Sequence, residues 1–255
     1  MSYKDRDVLQ FLLETMNDPQ IATLYGVSEK TIGYWRRQHG LPRSTSVRNI
    51  GNRKYTVDEN FFATIDTEAK AYTLGMIVTD GWIGYHRTSK VFGIQLKESD
   101  RPILESIRDA MQSTHPVKTV LVKTGYSPHE MATFVISNKF LVAQLESLGL
   151  HPNKTDTIGY LSVPPEMDRH FIRGLIDGDG NVNHANFQLA GTKALIEGTI
   201  VAIKAHTDHA LSFYVNRGRH IMVGYRRDAS VLRWIYQDST LALPRKRELY
   251  QTYWA

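Results

Sequence analysis

Two nine-residue stretches decide how this 255-residue chain folds: TLGMIVTDG (73–81) and IRGLIDGDG (172–180). Each sits in a mostly apolar run, AYTLGMIVTDG (71–81) and HFIRGLIDGDG (170–180), and each closes on Asp-Gly. The spacing predicts a helix in both places. Gly75 and Gly174 fall in the middle of those helices, where glycine costs about 1 kcal/mol relative to alanine. That cost is tolerable where two helices meet backbone to backbone. Asp80 and Asp179 then stand at the C-terminal helix ends, where the macrodipole disfavours a carboxylate by about 0.3–1 kcal/mol. If the helices pair about a pseudo-twofold axis, the two carboxylates also repel each other. A bound divalent cation relieves both penalties.

Outward from these helices the chain repeats itself. FGIQLKESDRPILESI (92–107) and FQLAGTKALIEGTI (187–200) each read as an alternating strand running into a helix. FVISNKFLVAQLESLG (134–149) and MVGYRRDASVLRWIYQ (222–237) follow as a further strand and helix. A repeat of about 100 residues is far longer than a solenoid period and indicates a duplicated domain. Its halves span about 58–155 and 165–255, joined through LHPNKTDTIGYLSVPP (150–165) with its three prolines. In the first strand Phe92, Ile94 and Leu96 point one way, and Val91, Gly93, Gln95 and Lys97 the other. In the second, Phe187 and Leu189 alternate with Asn186, Gln188 and Ala190. One face of each sheet is expected to pack on helices and the other to be polar.

The N-terminal region has a different texture. Val8, Leu9, Leu12 and Leu13 give helical spacing, and Asp18-Pro19 starts a second helix with Ile21, Ala22 and Leu24 on its apolar side. Gly26-Val27-Ser28 forms a turn, and Ser28 is a natural N-cap for a third helix ending near Gln38. The stretch IATLYGVSEKTIGYWRRQHGLP resembles a helix-turn-helix of the homeodomain-like type, with Ile21, Ala22, Val27, Ile32 and Trp35 as its buried positions. Its last helix carries Lys30, Thr31, Tyr34, Arg36 and Arg37. This module (1–42) is followed by a linker (43–57) whose Arg43, Arg48, Arg53 and Lys54 suit a phosphate backbone.

The two Asp-Gly stretches resemble the signature of the LAGLIDADG homing endonucleases, and the resemblance covers nearly all of 58–255, including FFATIDTEAKAY and LPRKRELY. It implies an α+β fold: a pseudo-twofold duplicated domain with antiparallel sheets forming a saddle, here preceded by a small all-α module. It implies a double-strand break in a long asymmetric DNA target, with 3′ overhangs. The last acid of each motif, Asp80 and Asp179, would bind Mg2+ or another divalent cation such as Mn2+. The backbone carbonyls of Thr79 and Gly178 are implied as further ligands. Lys97 resembles a position the family often fills with lysine near the scissile phosphate. Gln95 is its companion, while the second strand ends at Ala190-Gly191 with no equivalent lysine and Lys193 as a weaker candidate. Asp177 has no acidic counterpart, since Val78 occupies that place in motif one, and reads as structural. The sheet faces would read bases through Gln95, Asn186 and Gln188.

Two carboxylates with hard-metal chemistry suit phosphodiester hydrolysis, and the rest of the composition agrees. Net charge is +5 with 31 basic against 26 acidic residues, in the direction expected of nucleic-acid binders. The absence of cysteine excludes disulfides and thiolate metal sites. No HExxH accompanies His206 and His209, so neither a zinc site nor, without a GxxxxGK[ST] loop, nucleotide hydrolysis is expected. Nothing at the N-terminus reads as a secretion signal and no apolar run reaches membrane length, so an intracellular protein of the cytoplasm or nucleoid is expected. Both halves lie in one chain, so a monomer is expected. Two other readings stay open: an RNA maturase assisting intron splicing, and a DNA-binding regulator that keeps the fold without cutting.

Overall fold

The computed structural model describes residues 2–42, 54–86, 89–123 and 127–255. Arg43, Arg48 and Arg53 of the basic linker lie outside the described residues. The chain divides into two compact units, 1–55 and 56–255.

The first unit holds three short helices: α1 (Arg6–Thr15), α2 (Asp18–Tyr25) and α3 (Glu29–Gln38). Each is started by a side chain that accepts from the free N–H groups of its first turn. Asp5 serves α1, Asn17 forms a capping box with Gln20 on α2, and Ser28 accepts from Thr31 on α3. Gly26 ends α2 with φ +65°, a left-handed conformation that glycine adopts without steric cost. Leu9, Leu13, Ile21, Ala22, Ile32 and Leu41 form a small core, with Val27 and Trp35 half-buried against it.

One sequence expectation fails in this unit, and one cation of α3 has a part that the sequence did not assign. Leu24 is 57% exposed, because the inward arc of α2 is centred on Ile21, Ala22 and Tyr25 and leaves Leu24 at its edge. Arg36 is buried, with its guanidinium on both carboxylate oxygens of Asp18 and on the carbonyl of Leu41. It holds α2, α3 and the following turn together rather than facing outward. Lys30, Tyr34 and Arg37 are exposed, and Thr31 is half-buried beside Ser28.

The second unit is built twice from one plan. Its first half runs α4 (Glu68–Asp80), β1 (Gly81–His86), β2 (Ser89–Lys97), α5 (Arg101–Ala110), β3 (Val117–Val122), β4 (His129–Ser137) and α6 (Lys139–Ser147). The second half runs α7 (Asp168–Asp179), β5 (Gly180–Val182), β6 (Asn186–Gly191), α8 (Lys193–His206), β7 (Ser212–Asn216), β8 (Arg219–Tyr225) and α9 (Ala229–Tyr236), and α10 (Pro244–Tyr253) follows. The antiparallel sheets have the same order, β1-β2-β4-β3 and β5-β6-β8-β7. The fold is α+β with a duplicated, two-sheet core, as the repeat implied.

Period-2 alternation sets which face of each sheet is buried. Phe92, Ile94, Leu96, Ala132, Phe134 and Ile136 lie inward in the first sheet; Phe187, Leu189 and Met222 do so in the second. They join α4 and α7 in one continuous core, in which eight consecutive residues of α4, Ala71 to Val78, are buried. That is why motif one shows almost no polar face. Among the described residues no helix is long and apolar enough to cross a membrane.

Candidate active site at the paired helix ends

The site begins with the two glycines. A Cβ on Gly75 would lie 2.4 Å from the carbonyl oxygen of Phe171 and 2.9 Å from Cα of Gly174. A Cβ on Gly174 would lie 2.4 Å from the carbonyl oxygen of Tyr72 and 2.9 Å from Cα of Gly75. Helices α4 and α7 therefore touch backbone to backbone, a distance only glycine permits. One turn on, Gly178 makes room for its counterpart: a Cβ there would fall 1.9 Å from Oγ1 of Thr79 and 2.5 Å from Oδ2 of Asp80. The pairing thus extends to the helix ends.

The glycine after each aspartate has its own reason. Gly81 and Gly180 have φ of −100° and −89°, so they are not left-handed caps. Instead, each strand starts against its own helix. A Cβ on Gly81 would meet Cα of Ile77 at 2.6 Å, and one on Gly180 the carbonyl oxygen of Ile176 at 2.4 Å. Gly81 pairs at once with Ile94, and Gly180 with Leu189, so each aspartate is fixed at a helix-to-sheet junction.

Buried polar groups lock this arrangement. Asp177 is fully buried and accepts from Tyr72 Oη (2.9 Å), Tyr236 Oη (2.6 Å) and the Leu243 amide (2.7 Å). It is structural, as its lack of a motif-one partner suggested. Nearer the N-terminal ends of the helices, Arg173 is fully buried and donates to Glu68 (2.5 Å) and to the carbonyls of Ile235 and Leu241.

Asp80 and Asp179 are brought together as the motif spacing implied. The carboxyl of Asp80 is pushed up to about 6, first by burial and then by the charge of Asp179. Thr79, Lys246 and Lys154 oppose that shift. Asp179 is also raised by burial, against the pull of Arg219, Lys154 and Lys246. Two carboxylates held close at a partly dry site carry the signature of a centre that wants positive charge.

Part of that charge comes from residues the sequence reading did not single out. Lys154 Nζ donates to the carbonyl of Gly81 at 2.6 Å, and Lys246 Nζ to that of Gly180 at 2.6 Å. The two lysines are equivalent under the repeat: Lys154 follows α6, and Lys246 follows α9, in the first turn of α10. Lys246 also donates to the carbonyls of Ile176 (2.6 Å) and Asp177 (2.7 Å), and lies 3.5 Å from that of Gly178. Both are buried, and burial pulls the Lys246 ammonium down to about 8. The signal that could have revealed them was a lysine placed after α6 in NKT (153–155) and after α9 in RKR (245–247).

Other candidates are distributed along the sheets. Lys97 ends β2 and is exposed, while Gln95 is half-buried and donates to Thr133 Oγ1 at 2.8 Å. Asn186 and Gln188 alternate with buried Phe187 and Leu189 on β6 and are half-buried on the opposite face. Lys193 pairs with Glu197 one turn along α8 at 3.7 Å, an exposed pair on a helix surface. Lys54 lies over the ring of Tyr55 in the first unit. His206 faces Asp168 and His209 faces Asp228, so neither belongs to a metal cluster.

Among the described residues no group of three or more histidines or carboxylates could hold a metal ion. Asp80 and Asp179 form a two-carboxylate, all-oxygen donor set, which suits a hard cation that keeps water or substrate oxygens as further ligands. Their mutual repulsion and burial fit such a group.

No protein-family model matches the chain, and no curated protein matches it. Solved structures do match. The homing endonuclease I-WcaI bound to its DNA recognition sequence superposes with a TM-score of 0.54 at 12% identity, covering 75% of this chain and 90% of that one. Mesophilic variants of the homing endonuclease I-DmoI give 0.51 at 16%, covering 72% and 97%. The chain has the LAGLIDADG homing-endonuclease fold. I-DmoI in complex with DNA and Ca gives 0.51 at 15%, covering 72% and 97%.

Proposed function

We propose that this chain is a site-specific DNA endonuclease of the homing type, making a metal-dependent double-strand break in a long asymmetric duplex and leaving 3′ overhangs. The observation that carries the reading is the pair of helix-end carboxylates, Asp80 and Asp179, held together by backbone contact at Gly75 and Gly174. The matching folds include endonucleases bound to DNA, one of them with Ca.

Asp80 and Asp179 would hold Mg2+ or Mn2+, with the carbonyls of Thr79 and Gly178 as neighbouring oxygen donors. When bound, such a cation supplies Lewis-acid stabilisation of the charge developing on the phosphate. Lys154 and Lys246 secure the carbonyls where each helix passes into its strand, so the acids keep their positions. Lys97 is placed to contact a phosphate. Gln95, Asn186 and Gln188 project from the non-core faces of the sheets and serve base recognition in the major groove.

One chain supplies both halves, so a monomer acting on an asymmetric site is the fitting assembly. The helical unit, through Lys30, Thr31, Tyr34 and Arg37, and the linker, through Arg43, Arg48, Arg53 and Lys54, would add contacts at one end of the target.

The test is a cleavage selection. Wild-type protein with Mg2+ is incubated with a plasmid library carrying a randomised insert, and the cut ends are captured and sequenced. A defined target with 3′ overhangs supports the reading. Asp80→Asn and Asp179→Asn should abolish cutting of that target while binding in Ca2+ survives, because a ligand is lost but the phosphate contacts remain. Wild-type-like cutting by either variant, or binding without cutting by the native protein, refutes it.

A further inference from the structure

The repeat equates positions between the halves, and the comparison exposes a cation that has changed strands. Gly81 pairs with Ile94 and Gly180 with Leu189, so Ile94 and Leu189 are equivalent. Counting on from each, Lys97 corresponds to Thr192. Thr192 cannot take over a lysine's role, because it caps α8. Its hydroxyl accepts from the Leu195 amide (3.1 Å) and donates to the carbonyl of Ile158 (2.5 Å).

Across the sheet, Lys97 faces Met131. In the second half the register Ala190 to Ile221 and Gly191 to His220 places Arg219 opposite Thr192. Lysine and methionine in one half thus become threonine and arginine in the other, with the cation on β8 instead of β6.

Arg219 is also in the right surroundings. Its Nη2 lies 3.9 Å from Oδ2 of Asp179, and together with Thr79, Lys154, Asp179 and Thr192 it lines a small cleft at the helix ends. That distance is an ion pair rather than a tight hydrogen bond, so guanidinium donors stay open to another anion. A guanidinium beside a carboxylate suits a phosphate oxygen arriving at the same cleft.

We propose that Arg219 is the phosphate-positioning cation of the second half, doing from β8 what Lys97 is placed to do from β2, so that the two DNA strands meet chemically different half-sites. This rests on the endonuclease reading. A flexible ammonium steadies one scissile phosphate and a planar guanidinium the other, and the difference lies in the protein rather than in the target.

The test uses the full chain and the duplex recovered by the cleavage selection, as a supercoiled plasmid and as a strand-labelled linear duplex with Mg2+. Arg219→Ala should slow cleavage of one strand by about 10- to 100-fold, so that nicked circles accumulate. Lys97→Ala should accumulate nicks in the opposite strand. Binding in Ca2+ should weaken by less than about 5-fold for either variant, since one phosphate contact among many is lost. Arg219→Lys should restore part of the lost rate. Nicks from Arg219→Ala that fall equally on both strands, or on the same strand as those of Lys97→Ala, overturn the proposal. A rate loss matched by the loss of affinity does so too. If the wild type cuts nothing in the library, the endonuclease reading fails and takes this proposal with it, an outcome distinct from cutting that stays symmetric in the variants.

Discussion

Replacing Gly174 by alanine tests the backbone-to-backbone contact between α4 and α7. On an exposed helix the change would stabilise the protein by about 1 kcal/mol through propensity alone. Here the new Cβ would stand 2.4 Å from the carbonyl oxygen of Tyr72, where ordinary contact begins at 3.4 Å. The overlap is about 1 Å, and the nearest atoms are all backbone of the facing helix, so no side chain can rotate out of the way. The helices must separate by a comparable distance, and overpacking of this kind costs about 1–3 kcal/mol. Asp80 and Asp179 separate with their helices, and a displacement of about 1 Å at a reacting centre costs on the order of 10²-fold in rate. The variant is therefore expected to unfold at lower urea, with ΔG reduced by about 1–3 kcal/mol, to bind its target in Ca2+ nearly as before, and to cut about 10²-fold more slowly. Unchanged stability, or a gain near 1 kcal/mol with full cutting, would show that the helices do not meet as described.

Three further expectations follow from other parts of the structure. Lys246→Met removes the donor that serves the carbonyls of Ile176, Asp177 and Gly180; losing those bonds should lower stability by about 1–3 kcal/mol in urea unfolding, and an unchanged midpoint would refute the assignment. His170 is buried and held down to about 4, by burial first and then by the charge of Arg173, which donates to its Nδ1 at 3.1 Å. A histidine with a lowered folded pKa is protonated first in the unfolded chain, so its contribution is complete above about pH 6.5 and is lost as pH falls towards 4. Between pH 7.5 and 4.5 the wild type should lose on the order of 2 kcal/mol more than His170→Gln, and equal losses would refute this. The fragment 56–255 contains both acids, both buried lysines and one continuous core. It should still cut the selected target, but with a shorter footprint and a shallower salt dependence than the full chain; identical footprints would give the helical unit another role.

Local chemistry in the sequence was enough for several features, because each depends on neighbouring residues. The paired Asp-Gly helices, the duplicated strand-helix pattern, the cap at Ser28, and the structural part played by Asp177 all follow from periodicity, turn chemistry or a missing counterpart. The meaning of the mid-helix glycines was legible too, since a residue that weakens a helix twice in equivalent places calls for a close approach.

Only the tertiary structure could decide the rest. Lys154 and Lys246 lie 73 and 66 residues from Gly81 and Gly180, whose carbonyls they bind, and no local pattern joins positions so far apart. In sequence Arg36 is only one of the cations carried by α3, and only the packing of α2 on α3 sets Asp18 against it. Arg219 was hidden for a related reason: sheet register, not sequence order, puts it opposite Thr192 and beside Asp179. Sequence reports what each residue can do with its neighbours along the chain. The field at Asp80 is set by groups from α7, the connector and α10, and it exists only once the chain has brought them together.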